Sequence, residues 1–525
     1  MKKNNDDFQY DSCVSRGICS INPRTYSLQR VLVLYLILIS KYALDLYKEG
    51  VVDNIGKELI LNTVAIAVSN PEFTESSFVM SIERFKEILP KIVKKYRTLC
   101  QEQNIEELDS ESLKLIKESS NINQAIRFGE KDMLNFQNVS MRTRDLYRIM
   151  LVIAKSLSIN LMNLESYKEK FPKAFEMVLK LLSSITHSEQ EHLKIKNLIF
   201  SAVNTDIKLM KLLRKTQEKV YGKQGEAIVS FSTTPSKAVL VVGSDIKELE
   251  NVLKALKETD IDVYTHDDMM LAHTFPKFNE YKNLKGQYGH GLENCLLDFA
   301  TFPGPIILTK HSLRNIENFY RGRLFTTDYT SPKGVIKIEN DDYSEVIESA
   351  KNSKGFKTGK NCESIEIGYD YEKVKKEILE KINNNNYKKI LIIGLESRKT
   401  VLTNYFDKLF KYIPDNFFVI SFSANVEKKN VYHLKTCFDS YSAMKIYEAV
   451  KRTKLPVTAI IPNCDRNAIS NMIYLSKQNN TSVYLGECEP IILNPTILTT
   501  LENVFDIKQV TSAKKDMEDI INILK

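Results

Sequence analysis

The sequence predicts an α/β protein: an N-terminal helical bundle domain followed by two doubly wound α/β domains in tandem. Three observations predict it. From Pro23 to about Tyr221 apolar residues recur at three and four spacings, with no convincing alternation, as in bundled helices. The stretches Lys237-AVLVVGSD and Lys388-KILIIGLES then each give a lysine, a buried-type strand, a glycine and a helix pattern. Such a repeated opening, followed by strands alternating with helices, implies parallel sheets with crossover helices of Rossmann-like type.

Totals narrow the class. A chain of 525 residues exceeds one hydrophobic core, and 43% hydrophobic residues make it globular. The formal charge of +8 comes from 74 basic residues interspersed with 66 acidic ones, which leaves no basic footprint for nucleic acid. The longest apolar run, Val31 to Ile39, falls short of the roughly 20 residues that span a bilayer, so no membrane partner is expected. Cysteines are spread over the whole chain and MKKNNDDFQYDS has no apolar signal core. A reduced, cytoplasmic protein is the expectation.

The elements follow in order. Pro23 opens a helix through Tyr47, because proline is tolerated in a first turn. Further helices are expected at 81–99, 111–118, 142–164, 166–185 and 191–220. The segment Gly222–Pro235 breaks the pattern and reads as a linker. Boundaries are therefore set at 1–225, 226–370 and 371–525. In the first α/β domain IDVYT and PIILT are strands. Each ends in polar residues, His266-Asp267-Asp268 and Lys310-His311-Ser312, so three strand ends are expected to face one crevice with the Gly243 turn. In the second domain strands are expected at 390–393, 417–422, 457–461 and 482–485, and helices at 440–452, 466–478 and 495–504. GQYGHG, with Gly286, Gly289 and Gly291, reads as a glycine-rich turn rather than a phosphate loop. His273 and His290 read as hydrogen-bonded structural histidines, and Cys100, Cys295 and Cys362 as small buried hydrophobes.

Several strings are more specific: CVSRGICS, VVGSDIKELENVL, DVYTHDDMMLAHTFPKF, NLKGQYG, DFATFPGPIILT, CFDSYSA and IIPNCDRNA. In this order the chain resembles the hybrid cluster protein family, also called prismane proteins or hydroxylamine reductases, over nearly its whole length. The resemblance implies a helical domain and two Rossmann-like domains around a mixed iron–sulfur–oxygen cluster, held by a histidine, two glutamates and four cysteines. Position by position, the family's histidine falls on Ser244 and its first glutamate on Asp268. Its cysteines fall on Ser312, on Glu396, near Ala424 or Asn425, and on Cys437; its last glutamate falls on Asp465. Of the seven ligands only one, Cys437, is unchanged.

Thiolates hold iron by soft covalent bonds, whereas a serine hydroxyl at neutral pH is a weak neutral ligand. The substituted set should therefore lose or alter the cluster. Asp268, Glu396, Cys437 and Asp465 remain as candidate ligands for iron, manganese or zinc, with His266 and His311 as candidate proton donors. Cys13 and Cys19 match the last pair of the family's N-terminal four; a [4Fe-4S] cluster is open to them only if a homodimer shares it, as the related nickel carbon monoxide dehydrogenases do. Two functions stay open. One is a divergent hydroxylamine reductase acting on small nitrogen species such as hydroxylamine or nitric oxide, supplied by an electron-donor protein. The other is a non-catalytic paralogue serving as a scaffold or assembly partner.

Overall fold

A computed structural model describes residues 23–68, 75–103, 116–130, 139–186, 188–289, 294–313, 320–394, 403–422, 428–435, 440–462, 467–486 and 495–522. The chain divides into two compact units: 1–209 with 328–335 and 494–497, and the remainder.

The first unit is helical. Helices α1 (Pro23–Lys48), α2 (Asn54–Ala67), α3 (Glu75–Gln103), α4 (Ile122–Glu130), α5 (Met141–Glu165) and α6 (Pro172–Ser183) lead into α7 (His192–Tyr221). α1 is the hub, packing on α2, α3, α4 and α6. Its apolar positions Leu28, Val31, Leu32, Tyr35, Leu36 and Ile39 are wholly removed from solvent. α2 was not expected: ten of its fourteen residues are buried, so it lacks the two-faced pattern that betrays a surface helix. The helix expected over 166–185 starts later, at Pro172, because the chain first turns through Lys168 with a φ of 63°.

The second unit holds two six-stranded parallel sheets. In the first, β2 (Lys237–Val242), β3 (Ile261–His266), β4 (Leu284–Gln287), β5 (Ile306–Leu308), β6 (Leu324–Thr326) and β7 (Ile336–Lys337) lie in the order β4-β3-β2-β5-β6-β7. In the second, β9 (Lys389–Ile393), β10 (Phe417–Ser421), β11 (Val431–His433), β12 (Val457–Ile461), β13 (Thr481–Leu485) and β14 (Ile507–Gln509) lie in the order β11-β10-β9-β12-β13-β14. Both are the doubly wound order in which the first and fourth strands of the sheet are neighbours. β9, β10 and β12 are buried at every residue and mostly apolar, as strands of sheets covered on both faces are.

Two expectations change here. The linker Gly222–Pro235 contains β1 (Ala227–Ser230), which pairs antiparallel with β8 (Ser364–Ile367) in a separate two-stranded ribbon. The glycine-rich GQYG turn includes the end of β4, with Gly286 closely packed on the Ser230 carbonyl. Both strands are four residues long and carry too few residues to show alternation.

Candidate functional site

In a doubly wound sheet the crossovers on either side of the two central strands leave on opposite faces, opening a crevice at their carboxyl ends. In the first sheet those strands are β2 and β5. Val242 pairs with His266 on one side and with Leu308 on the other, so Gly243-Ser244, His266-Asp267-Asp268 and Thr309–Ser312 share one edge. This is the convergence expected from the three strand ends.

Gly243 makes it tight. Its φ is +128°, and a Cβ there would stand 2.1 Å from Thr309 Oγ1 and 2.2 Å from Ser312 Oγ. Only glycine suits that place. The Thr309 amide and hydroxyl donate to the Val242 carbonyl at 3.0 and 2.8 Å, fixing the start of the loop that carries His311 and Ser312. Ser312 is buried against the glycine, and His311 is half-buried at a left-handed φ of 62°.

A histidine–aspartate pair occupies the β3 end. His266 is wholly buried, its Nε2 lies 3.0 Å from Asp298 Oδ2, and its ring packs on Phe299 at a centroid distance of 5.5 Å. Asp298 and Phe299 belong to α9 (Cys295–Thr301). His273 is structural, as expected: its Nε2 meets Thr265 Oγ1 at 2.9 Å, and burial pushes its pKa down to about 4.

The sequence reading missed a charged cluster beside the crevice. Asp245 caps α8 (Ile246–Ala255), accepting from the Lys247 and Glu248 amides at 2.9 and 3.2 Å. Glu248, also buried, accepts from the Lys310 amide at 3.0 Å and from the Thr327 hydroxyl, and its other oxygen lies 3.2 Å from Lys310 Nζ. Burial, and then the Asp245 charge, raises the Glu248 pKa to about 7, with Lys310 opposing. Burial likewise raises Asp245. Two carboxyls at this helix start would repel the phosphates that such a terminus otherwise attracts, which agrees with the absence of a phosphate-loop motif. The signal was present in SDIKE, an Asx cap followed by an acid in the first helical turn.

Of the sequence-predicted site residues, His266, Asp268 and His311 lie on this one edge. Asp268 is half-buried, in the 3₁₀ turn Asp267–Thr274. Glu396, Cys437, Asp465, Cys13 and Cys19 lie outside the described residues, as do Ala424 and Asn425. By sequence, Glu396 follows β9 and Asp465 follows β12, the paired central strands of the second sheet. Among the described residues no three His, Cys, Asp or Glu side chains are grouped to hold a metal. Of the described positions that the resemblance maps onto cluster ligands, Ser312 replaces a thiolate and Ser244 an imidazole, while Asp268 keeps a carboxylate. That part of the set does not fit a thiolate-held cluster. Cys100 and Cys295 are buried as expected, whereas Cys362 is half-buried. Among the described residues no helix is long and apolar enough to cross a membrane.

Comparison with known proteins finds relatives along nearly the whole chain. A hydroxylamine reductase of Methanocella arvoryzae is 24% identical, covering 97% of this chain and 98% of its own. One of Acidiphilium cryptum is 26% identical, covering 96% and 95%. A solved structure of closed and open alpha subunits of acetyl-CoA synthase/carbon monoxide dehydrogenase aligns with 97% of this chain and 84% of its own, at 12% identity and a TM-score of 0.47. The model of the Prismane/CO dehydrogenase family matches residues 9–518, and the chain belongs to that family.

Proposed function

We propose that this chain is a divergent oxidoreductase of hydroxylamine reductase type, acting on small nitrogen species, in which the sulfur-rich hybrid cluster is lost and a divalent metal is held by carboxylates and one thiolate. The supporting observation is Ser312: a buried neutral hydroxyl, closely packed on Gly243, stands where the resemblance implies a thiolate. Asp268, Glu396 and Asp465, with Cys437, form the proposed ligand set, a harder one that suits iron, manganese or zinc. A bound metal would supply Lewis acidity at the crevice. Reducing hydroxylamine breaks its N–O bond, takes up electrons from a cytoplasmic donor protein and consumes protons. His311, in the loop beside Ser312, is the proposed proton donor. Cys13 and Cys19 of a homodimer are proposed to share a [4Fe-4S] cluster that relays those electrons.

Metal and acid-labile sulfide analysis of anaerobically purified protein, with hydroxylamine turnover driven by a reduced viologen, tests this. The expected result is sulfide only in the amount of one cubane per dimer, additional metal without sulfide, and ammonia formation. Further sulfide in proportion to a hybrid cluster in every chain would refute the loss. Absence of both metal and turnover would favour the second reading, a non-catalytic scaffold. That alternative draws support from Glu248 and Thr309, which tie the crevice loop to the protein's own groups with no need of a metal.

A further inference from the structure

Glu248 grips one residue of the crevice loop by two of its atoms. Its Oε2 accepts from the Lys310 amide at 3.0 Å, and also from the Thr327 hydroxyl just past β6, while its Oε1 lies 3.2 Å from Lys310 Nζ. On one side of Lys310, Thr309 is fixed separately by its two bonds to the Val242 carbonyl. On the other side His311 has a φ of 62°, which a residue with a Cβ seldom adopts and which its surroundings must hold in place. The Lys310 peptide is therefore the boundary between a pinned half of the loop and a strained half. The grip on it depends on charge, because bonds to an ionised carboxylate are about twice as strong as those to a neutral carboxyl. Facing Glu248 are Asp245 at the start of α8, with Lys247 beside it, Lys310 in the loop, and Asp341 and Tyr343 after β7. Burial opposes the Lys310 charge, but Glu248 and Asp245 outweigh it, so the side chain stays an ammonium. Burial raises Tyr343, which stays a phenol. Glu248, at about 7, changes charge near neutrality. The Lys310 side chain is 42% exposed, which gives solvent protons a route to the buried carboxyl.

We propose that Glu248 is a proton-operated clamp on the crevice loop: ionised, it holds the Lys310 peptide and with it the left-handed His311; protonated, it releases that half of the loop. Glu248 is thus a positioning residue for His311, acting through Lys310. The fixed partners Val242 and Thr309 keep the rest of the loop in place in both states, so the change is local. The inference goes beyond the reading above and requires no metal, so either can fail without the other.

Hydrogen–deuterium exchange of the full-length protein, read at single amides by electron-transfer fragmentation and corrected for the intrinsic pH dependence, tests it. Protection of the Lys310 amide relative to the Thr309 amide should rise about tenfold between about pH 5.5 and 8.5. The midpoint should lie near 7. In Glu248→Gln, whose side chain never ionises, the ratio should stay at its acid value throughout. Thr327→Val removes one donor from the carboxylate and should move the midpoint up by about half a pH unit. A ratio that is flat in the wild type, or that still rises in Glu248→Gln, overturns the proposal. So does an equal change at both amides, which would mean that the loop loosens as a whole. Should Glu248→Gln fail to fold, Thr327→Val decides, and a midpoint left at the wild-type pH overturns the clamp.

Discussion

The two sheets of the second unit are built alike, and among the described residues they bury different charged groups. Each has six parallel strands in the same order, and each central strand opens with a lysine that reaches a carbonyl at the end of the helix after the sixth strand. In the first sheet Lys237 donates to the Ser353 carbonyl, just past α10 (Ser344–Asn352); in the second, Lys389 donates to the Ile520 carbonyl at 3.0 Å, in the last turn of α11 (Ala513–Asn522). The carboxyl edge of the first sheet carries buried Asp245 and Glu248 beside Lys310, and buried His266 paired with Asp298. Apolar strand interiors specify the topology, and the few residues just past each strand specify the chemistry. Substitutions at the equipped edge and at the shared lysines test that division.

The largest effect is expected at Gly289. An alanine there would place its Cβ 2.1 Å from Asp298 Oδ2, at a φ of +76° that disfavours any side chain. Steric and backbone costs together predict a loss of about 3 kcal/mol in urea unfolding. The His266–Asp298 contact should be displaced with it. A loss below about 1 kcal/mol would mean that the loop gives way and does not pin the dyad.

Next come the titrating groups of the same edge. Glu248 has a folded pKa of about 7 against an ordinary 4.5, so the folded state keeps a proton that the unfolded chain releases. Its stabilising share is present below pH 4.5 and is lost as pH rises to about 7, a change of about 3 kcal/mol at most. His273 has the opposite sign. Its pKa of about 4 lies below the ordinary 6.5, so stability is lost as pH falls from 6.5 towards 4. Half-buried His433, on the second sheet, is lowered by burial in the same direction. Between pH 4.5 and 6.5 the Glu248 and histidine contributions oppose each other, and the wild type is expected to vary little there. Glu248→Gln should become more stable as pH rises through that window, and His273→Asn less stable. Urea midpoints at both ends of the window measure this; parallel profiles for the three proteins would show that neither group titrates as its surroundings imply.

Much of this arrangement was legible in the sequence, for physical reasons. KAVLVV and KILII read as strands because sheets covered on both faces need uninterrupted apolar runs, and Gly243 marked the end of the first. Val431–His433 and Ile507–Gln509 did not read as strands, since three residues carry no periodicity and their pairing depends on neighbours distant in sequence. At the site, convergence of the three strand ends followed from topology alone. The partner of His266 did not, because Asp298 is 32 residues away and lies in a different kind of element. Nor did Glu248 stand out, since an acid in a first helical turn is ordinary; its burial beneath the Lys310 loop is a tertiary fact.

The smallest effects compare the two lysines. Lys237 is half-buried, whereas Lys389 is 1% exposed, and burial, with Lys508 adding to it, pushes its pKa down to about 8. A cation whose folded pKa lies below the ordinary 10.5 penalises folding at pH 8 and below, and the penalty fades as pH rises from 8 to 10.5. Methionine preserves most of the lysine stem without the charge. Lys389→Met should therefore match or exceed the wild type at pH 7, by up to about 1 kcal/mol once the lost carbonyl bond is counted, and lose that advantage by pH 10. Lys237→Met gives up the same kind of bond without relieving a buried charge, so a loss of about 0.5–1 kcal/mol is expected at both pH values. Thermal unfolding of the pair at pH 7 and pH 10 separates them. Equal responses would mean that burial does not distinguish the two sites; opposite signs at pH 7 that converge at pH 10 would show one repeated bond built in two dielectric settings.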